Sequence, residues 1–332
     1  MRLIQYRDNN DARRVGWVTA DGDRARELRG VATVFDLANQ AIARGANLAT
    51  LVGELVGDKT VDYADLLANG RVLAPLDHPE PARFLITGTG LTHIGSAAAR
   101  NKMHVSTHGD GAPESDSMKI FRMGLDGGKP GPGKIGIQPE WFFKGVGTCV
   151  LAPGEPLPLP AFALAGAEEA EIVGLYIVDP GGVPWRIGYA LGNEFSDHKT
   201  EAQNYLYTQH SKLRACSIGP ELLVAALPDD VRGKSRIRRG KTVLWEEDFL
   251  SGEKNMSHSI ANLEHHHFRY PMFRRPGDLH AYFFGAAVMS YAAGVQTKIG
   301  DVFEIEAEIF GKPLRNRMEA VPNEGLVTVR TL

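Results

Sequence analysis

The fold of this chain is decided by residues 166–198, GAEEAEIVGLYIVDPGGVPWRIGYALGNEFSDH. The apolar run IVGLYIV predicts a buried strand, because it is continuous and rich in β-branched residues. The sequence DPGG at 179–182 predicts a reverse turn. The chain then returns as WRIGYALGNE, so the whole segment predicts two strands joined by a turn, with the first strand in the core.

Three carboxylates lie on this pair of strands. Glu169 and Glu171 are two residues apart, so on a strand their side chains leave the same face. Two ionised glutamates beside a core strand repel each other and lose hydration, which favours a bound cation. Glu194 adds a third carboxylate, and oxygen ligands without a nearby cysteine favour Mg²⁺, Mn²⁺ or Ca²⁺ over zinc. An exposed acidic strand edge is the alternative, and these residues alone leave both interpretations open.

The composition indicates an ordinary globular protein. Of the 332 residues, 43% are hydrophobic and 23% are charged, a length that suggests about two domains. The formal net charge of −3 argues against nucleic acid or a membrane surface as the main partner. No apolar run approaches the ~20 residues of a membrane span, and the N-terminus lacks the apolar core of a signal peptide. Cys149 and Cys216 lie in apolar sequence, which indicates a reducing compartment, so we expect a cytoplasmic protein.

Two units are predicted along the chain. Residues 1–80 have the pattern of a small N-terminal α/β domain, with nothing that indicates chemistry, and residues 81–332 form the second unit. The polar, Gly/Pro-rich stretch 103–139 predicts an active-site cover, since long loops in compact domains are often lids. Within it, GKPGPGK at 128–134 imitates a phosphate loop, but Ile135 stands where Ser or Thr is required and prolines remove backbone donors.

Three further patterns predict structural roles. The histidines at 265–267 are adjacent, and adjacent strand side chains point to opposite faces, which favours structural or surface histidines over a metal site. Glu304, Glu306 and Glu308 alternate with apolar residues, which predicts a solvated strand face. The section HAYFFGAAVMSYAAG at 280–294 predicts an apolar strand.

A series of motifs runs through the second unit in a fixed order. In chain order they are Gly90-Leu91, FFKG with Lys144, Glu169-x-Glu171, GYALGNEFS at 188–196, Lys212 to Pro220, Pro276-Gly277-Asp278, Gly300-Asp301 and Leu314-x-Asn316. Each is weak alone, but together they resemble the fumarylacetoacetate hydrolase superfamily over residues 83–318.

This resemblance implies an α+β, mostly β fold: a mixed β-roll catalytic domain behind the small N-terminal domain, assembled as a homodimer. It also implies Mg²⁺ (or Mn²⁺) held by Glu169, Glu171 and Glu194. Glu194 stands where the family usually has Asp, one methylene shorter.

The departures from the family pattern point to one of its branches. Hydrolases of the superfamily carry a His and a Glu after the Gly-Leu motif, where this chain has Ser96 and Ala99, so general-base hydrolysis lacks its expected base. His93 lies three residues early. Ser96 and Arg100 instead match the 2-keto-3-deoxy sugar-acid dehydratases.

That branch also matches further along the chain. Asn193, Glu201 and Lys212 stand at its separations, whereas His198 replaces its Arg and Ala286 replaces its Thr.

The resemblance therefore implies a hydro-lyase that converts 2-keto-3-deoxypentonate to 2-ketoglutarate semialdehyde. A 2-keto acid binds a hard divalent ion through its carboxylate and keto oxygens, which makes the C3 proton more acidic. We expect Lys212 to polarise the keto group or take that proton, with Glu201 as the alternative base. The residues expected to hold substrate oxygens are Ser96, Arg100, Lys144 and His198.

Two other interpretations remain open at this stage. One is a C–C bond hydrolase or a decarboxylase of a diketo or oxo acid. The other is a non-catalytic sugar-acid binding protein on an enzyme fold, since the hydrolase His/Glu pair and the expected Thr are replaced.

Overall fold

The computed structural model describes residues 1–95, 97–98 and 115–332. Its first strands are β1 Arg2–Arg7, β2 Arg13–Val18, β3 Arg24–Leu28, β4 Val56–Asp62, β5 Val72–Leu73, β6 Phe84–Gly88, β7 Phe142–Val146, β8 Val150–Leu151 and β9 Leu157–Leu159. The others are β10 Ala170–Val178, β11 Pro184–Asn193, β12 Cys216–Ile218, β13 Leu222–Leu223, β14 Val231–Arg239, β15 Thr242–Ser251, β16 Leu279–Phe283, β17 Val302–Glu306 and β18 Leu314–Ala320.

The helices are α1 Val34–Arg44, α2 Leu48–Leu55, α3 Tyr63–Ala68, α4 Asp116–Gly127, α5 His198–Gln203, α6 Thr208–Lys212 and α7 Ile260–Phe268. Short 3₁₀ turns lie at Pro81–Arg83, Gly147–Cys149, Tyr205–Tyr207, Glu253–Asn255, Pro271–Phe273, Ser290–Ala293 and Glu308–Phe310. None of the helices in the described part of the chain is long and apolar enough to cross a membrane.

The strands form two sheets. Across the described residues, the large sheet runs β4-β3-β2-β1-β13-β11-β10-β16-β6-β7, with β5 paired to β1 and β12 paired to β11 and β8. The smaller sheet has the order β15-β14-β17-β18-β9. Most pairs are antiparallel, whereas three described pairs run parallel: β16 with β6, β12 with β8, and β18 with β9. The predicted α+β, mostly β fold is therefore confirmed, and the division near residue 80 stays a prediction, because β1 pairs directly with β13.

Strand β10 is buried along its whole length, which explains its continuous apolar run. Its side chains alternate between two cores: Val173 and Leu175 pack in one cluster with residues of α1, and Ile172 and Tyr176 pack in another with residues of α7. A strand covered on both faces has no position at which a polar side chain reaches water. The central place of β10 therefore follows from its sequence.

The predicted hairpin is present. Strands β10 and β11 pair antiparallel from Ala170 opposite Asn193 to Val178 opposite Pro184. In the turn, Asp179 Oδ1 accepts hydrogen bonds from the backbone N–H groups of Gly181 and Val183, both at 2.8 Å. This side-chain acceptor holds the turn closed and sets the pairing beside it, and a one-residue bulge between Leu175 and Tyr176 shifts the register of the remaining pairs.

The sequence predicts one apolar strand over residues 280–294, and the structure corrects this. Strand β16 ends at Phe283, and the chain continues as a loop with a 3₁₀ turn at Ser290–Ala293. Gly285, with φ +96, turns the chain away just after the strand, and Gly294, with φ +77, ends the 3₁₀ turn; both conformations favour glycine.

Two other patterns differ from their predicted structure. The stretch 103–139 is not all loop, because α4 covers Asp116–Gly127; residues 103–114 of the predicted cover lie outside the described part of the chain. The histidines at 265–267 lie on α7 and not on a strand. His267 accepts a hydrogen bond from Trp141 at 3.2 Å and contacts His280 at 3.0 Å, in keeping with a structural role.

The solvated face predicted for Glu304, Glu306 and Glu308 is wrong for Glu304. That side chain is 2% exposed, and it accepts hydrogen bonds from Arg236 at 2.6 Å and from Arg315 at 2.5 Å. Glu306 is partly exposed, and Glu308 lies beyond the strand in a 3₁₀ turn. The alternation of acidic and apolar residues predicted the strand correctly. It could not predict that arginines of the neighbouring strands cover the Glu304 side chain.

We expect Glu304→Gln to lower the free energy of unfolding by about 2 kcal/mol at pH 7. Burial acts to raise the pKa of Glu304, but hydrogen bonds from Arg315, Arg236 and Arg238 overcome it and hold the pKa at about 2, below the ordinary 4.5. The stabilisation is therefore present above pH 4.5 and is lost as the pH falls towards 2. Urea denaturation from pH 7 to pH 3 measures this. The exposed Glu319→Gln is the control, and a difference that stays constant with pH contradicts the prediction.

Candidate active site

The three predicted metal ligands lie together. One carboxylate oxygen from each of Glu169, Glu171 and Glu194 lies within 4.8 Å of the others, and all three residues are buried. The hairpin places them: Glu194 N–H donates to the Glu169 carbonyl at 3.0 Å, and Glu169 N–H donates to Asn193 Oδ1 at 3.3 Å. The strand register therefore brings together carboxylates that are 25 residues apart in sequence, 194 minus 169.

Lys212, at the end of α6, lies between two of these carboxylates. Its ammonium group donates to Glu169 and, at 2.8 Å, to Glu194 Oε2. Its Nζ also lies 4.9 Å from the centre of the Phe142 ring. A buried ammonium is costly unless it is paired, and the two carboxylates supply that pairing. The predicted catalytic lysine and the predicted ligands therefore form one cluster.

The surroundings shift the pKa values of the three carboxyl groups in different directions. Burial acts to raise the pKa of Glu169, but the charge of Lys212 and a hydrogen bond with His198 hold that pKa well below its usual range. Burial and the charges of Glu194 and Glu169 raise the pKa of Glu171 well above its usual range. Burial also raises the pKa of Glu194, although Lys212 opposes it. Without a further cation, the cluster thus disfavours the ionised forms of Glu171 and Glu194.

The carboxylate oxygens fit a divalent cation. Among the described residues, Glu171 Oε1 and Glu194 Oε1 are buried and have no hydrogen-bond partner. Buried carboxylate oxygens are normally satisfied, so these two are suited to be metal ligands. An all-oxygen set on a rigid hairpin is the donor chemistry that Mg²⁺ and Mn²⁺ prefer.

Lys144 on β7 lies beside the ligands but is held mainly by the backbone. Its Nζ donates to the carbonyls of Phe195 at 2.8 Å and Lys212 at 3.1 Å, and it is 4.0 Å from Glu194 Oε1. The side chain is fully buried. Lys144 therefore joins the segments that carry Glu194 and Lys212, and its predicted contact with substrate stays a prediction.

The loop after β16 forms one wall of the site, which the sequence interpretation missed. Gly285 N–H donates to Glu171 Oε2 at 2.6 Å. Further along, Ser290 donates to Glu168 from its N–H at 2.9 Å and from its hydroxyl at 2.6 Å. Glu168 is fully buried, and burial raises its pKa. The sequence did contain a sign of this contact. Glu168 directly precedes Glu169, so on an extended chain its carboxylate points to the opposite face and needs a partner of its own.

Tyr291 continues this wall. Its ring stacks on the His198 ring, with centroids 5.2 Å apart and planes at 23°. His198 Nε2 lies 3.2 Å from Glu169 Oε1, and its Nδ1 is buried without a hydrogen-bond partner among the described residues. Burial raises the pKa of Tyr291, and so do the charges of Asp197 and Glu201. His198 and Tyr291 thus form a polar, aromatic side of the site.

The other predicted residues divide into those placed and those not described. Glu201 is buried on α5, one turn after His198. Ser96 and Arg100 lie outside the described residues. His93 is buried with its ring nitrogens near Thr92 and Ser251, at 2.9 and 3.3 Å. Burial lowers the pKa of His93 to about 4, which is consistent with a structural histidine.

The sheet order and the site together define the class of fold: it is the fumarylacetoacetate hydrolase type, with a buried acidic triad at the base of a central hairpin. Solved structures of 2-keto-3-deoxyarabinonate dehydratase have the same fold. One, a hexagonal crystal form, matches with a TM-score of 0.72 and 17% identity, covering 97% of this chain and 100% of that one. The predicted resemblance to this superfamily and its dehydratases is confirmed.

Two other solved structures share this fold. A complex of 2-keto-3-deoxy-D-arabinonate dehydratase with magnesium and 2,5-dioxopentanoate matches with a TM-score of 0.69 and 17% identity, covering 97% of this chain and 99% of that one. A 5-carboxymethyl-2-hydroxymuconate delta-isomerase from Mycobacterium smegmatis has a TM-score of 0.57 at 17% identity, over 97% and 100% of the two chains.

In sequence, the chain is 25% identical over 213 residues to a probable 2-keto-3-deoxyxylonate dehydratase of Haloferax volcanii. The match covers 64% of this chain and 62% of that relative, less than two thirds of its length. No family model matches the chain.

Proposed function

We propose that this protein is a Mg²⁺-dependent hydro-lyase that dehydrates 2-keto-3-deoxypentonate to 2,5-dioxopentanoate, which is 2-ketoglutarate semialdehyde. The observation that carries the proposal is the buried cluster of Glu169, Glu171 and Glu194 around the ammonium of Lys212. The similarity to proteins named 2-keto-3-deoxy sugar-acid dehydratases supports it. So does the solved complex of one of them with magnesium and 2,5-dioxopentanoate.

Glu169, Glu171 and Glu194 would hold the divalent ion. Bound there, the ion would supply Lewis-acid polarisation to the carboxylate and keto oxygens of a 2-keto acid. The low pKa of Glu169 keeps at least one ligand ionised near neutral pH. The three glutamates and Lys212 are each at most 5% exposed, so bulk water has little access to these side chains among the described residues.

Lys212 and Glu201 would share the proton chemistry. The Lys212 ammonium is already paired with two carboxylates, so it is suited to donate a hydrogen bond to the keto oxygen as negative charge develops there. Glu201 is buried one helical turn from His198, and we assign it the removal of the C3 proton. His198, Ser96, Arg100 and Lys144 are proposed to hold substrate oxygens.

The reaction balances as the loss of one water. Removal of a C3 proton and departure of the C4 hydroxyl with a proton give an unsaturated keto acid. A proton then leaves C5 and one is added at C3, which produces an enol with its double bond between C4 and C5. Ketonisation of that enol gives the C5 aldehyde, so the product keeps all carbons of the substrate.

The test is a screen of both enantiomers of 2-keto-3-deoxypentonate with Mg²⁺, with 2,5-dioxopentanoate measured as the product. Omission of metal with a chelator and the Glu171→Gln variant are the controls, and both should abolish product. Two acids as products would establish a hydrolase instead, and release of CO₂ a decarboxylase. Binding without turnover of either enantiomer would favour a non-catalytic binding protein. Each of these three outcomes contradicts the proposal.

We also propose that the protein assembles as a homodimer, on the family resemblance alone. Light scattering coupled to gel filtration should give twice the chain mass of 36.2 kDa. A single species with the mass of one chain contradicts it.

We expect Tyr291→Ala to raise KM about 10-fold with a smaller change in kcat. The stacked Tyr291 ring holds the His198 imidazole, and aromatic pairs of this kind are worth about 0.5–1.5 kcal/mol. Tyr291→Phe retains the ring and should retain most of the affinity. The exposed Tyr270→Ala is the control. Steady-state kinetics measure both parameters, and an unchanged KM for Tyr291→Ala contradicts the assigned role.

A further inference from the structure

The chain has two cysteines, Cys149 and Cys216, and the structure places them next to each other. Both are free. Cys149 ends the 3₁₀ turn before β8, and Cys216 is the first residue of β12. These strands pair in parallel, with Val150 opposite Cys216. Residues 67 positions apart, 216 minus 149, are thus diagonal neighbours across one strand pair.

The strand pairing brings the backbones of the two cysteines to a separation that a disulfide can span. Paired strands lie about 4.8 Å apart, and disulfides join residues whose Cα atoms are roughly 4.4–6.8 Å apart. Both side chains pack in the same core cluster, Cys216 within it and Cys149 against it, so they lie on the same side of the strand pair. The pair therefore has the backbone spacing that a disulfide needs, with both side chains in one core.

The two thiols have different surroundings. Cys149 is partly exposed, whereas Cys216 is fully buried. Interaction with the Cys216 thiol lowers the pKa of the Cys149 thiol, and the charge of Lys144 acts in the same direction. Burial raises the pKa of the Cys216 thiol well above its usual range. An accessible, more acidic thiol beside a buried one is the arrangement of an attacking and a resolving cysteine.

We propose that Cys149 and Cys216 form a site of reversible oxidation by hydroperoxides that closes an intramolecular disulfide. The Cys149 sulfur attacks the peroxide O–O bond, which leaves a sulfenic acid on Cys149 and releases an alcohol, or water from hydrogen peroxide. The Cys216 sulfur then displaces the sulfenic hydroxyl as water. Two thiols lose two hydrogens and two electrons, and the peroxide is reduced by the same two electrons.

This site is next to the carboxylate cluster but independent of the proposed reaction. Strand β12 also pairs with β11, with Ser217 opposite Asn193, so Cys216 lies beside the strand end that carries Glu194. The test needs no turnover, because it reads thiols and mass. Its failure would therefore leave the proposed dehydration unaffected.

The experiment treats the full chain with a small excess of hydrogen peroxide. Titratable thiols in denaturant should fall from two to none, the mass should fall by about 2 Da, and a peptide pair containing Cys149 and Cys216 should appear. Dithiothreitol should restore both thiols. The Cys216→Ser variant should accumulate a sulfenic acid on Cys149, which dimedone traps, and Cys149→Ser should keep its remaining thiol.

Three outcomes overturn the proposal. In one, both thiols survive peroxide; in another, Cys149 is oxidised to sulfinic acid while Cys216 stays reduced; in the third, disulfides form only between molecules.

Circular dichroism of each variant before treatment establishes that it is folded. If Cys216→Ser does not fold, dimedone trapping during a brief peroxide pulse on the wild-type chain reports the same intermediate. Absence of an adduct on Cys149 in that pulse, together with retention of both thiols, also overturns the proposal.

Discussion

Lys212→Met is expected to reduce turnover by about 10²–10⁴-fold, because it removes the donor proposed to stabilise charge on the keto oxygen. It should also destabilise the metal-free protein by about 3–5 kcal/mol, since Glu169 and Glu194 lose the ammonium that pairs them. A divalent cation should restore much of that stability, because it supplies positive charge at the same carboxylates. Urea denaturation with chelator and with saturating Mg²⁺ measures both states.

The control for this prediction is Lys199→Met, an exposed lysine on α5. It should change neither turnover nor the response of stability to Mg²⁺. Wild-type turnover in Lys212→Met would remove the lysine from the chemistry. A loss of stability that Mg²⁺ does not reverse would show that Lys212 acts as a packing residue and not as the charge partner of the ligands.

Glu171→Gln is expected to weaken Mn²⁺ binding by at least about 100-fold, since even partners of metal ligands contribute 10–100-fold. The same change should stabilise the metal-free protein. The pKa of Glu171 is raised well above its usual range by burial and by the charges of Glu194 and Glu169, so its ionised form is unfavourable in the fold. An amide of similar size removes that repulsion. Calorimetric titration with Mn²⁺ and urea denaturation in chelator give the two quantities.

The opposite signs make this prediction specific. A mutation that only damaged the fold would lower both metal affinity and metal-free stability. The matched control is Glu221→Gln, a buried carboxylate outside the triad that accepts a hydrogen bond from Lys312 N–H at 2.9 Å and pairs with Arg2 at 3.2 Å. It should leave Mn²⁺ affinity unchanged. Unaltered metal binding in Glu171→Gln would remove the triad from consideration as the metal site.

Much of the candidate site could be read from local sequence because it lies on one hairpin. The two-residue spacing of Glu169 and Glu171 defines a shared face on a strand, and the Asp-Pro-Gly-Gly turn returns the chain towards them. A one-residue bulge between Leu175 and Tyr176 then shifts the register, which the sequence did not reveal, and so sets the position of Glu194. Such short-range geometry depends on strand periodicity and turn chemistry, both of which are sequence properties.

The contacts that the sequence interpretation missed come from distant parts of the chain. Glu168 binds Ser290 at a separation of 122 residues, and Tyr291 reaches His198 from a loop that was predicted as strand. Glu304 was placed in solvent because alternation describes one strand, while the arginines that bury it belong to β14 and β18. Pairing between strands that are remote in sequence decides these contacts.

By itself, local sequence predicted the buried central hairpin and the three carboxylates on it, because periodicity, turn residues and the charges on one strand are local. The choice of a metal site over an exposed acidic edge, and the β-roll fold, followed from the family resemblance. Only the tertiary structure decided which groups contact the three carboxylates. It placed the Lys212 ammonium between Glu169 and Glu194, and it left Glu171 Oε1 and Glu194 Oε1 without hydrogen-bond partners among the described residues. It also brought Cys149 and Cys216 together. The physical reason is that charge compensation in a core depends on which groups share the same small volume, and sheet order sets that volume.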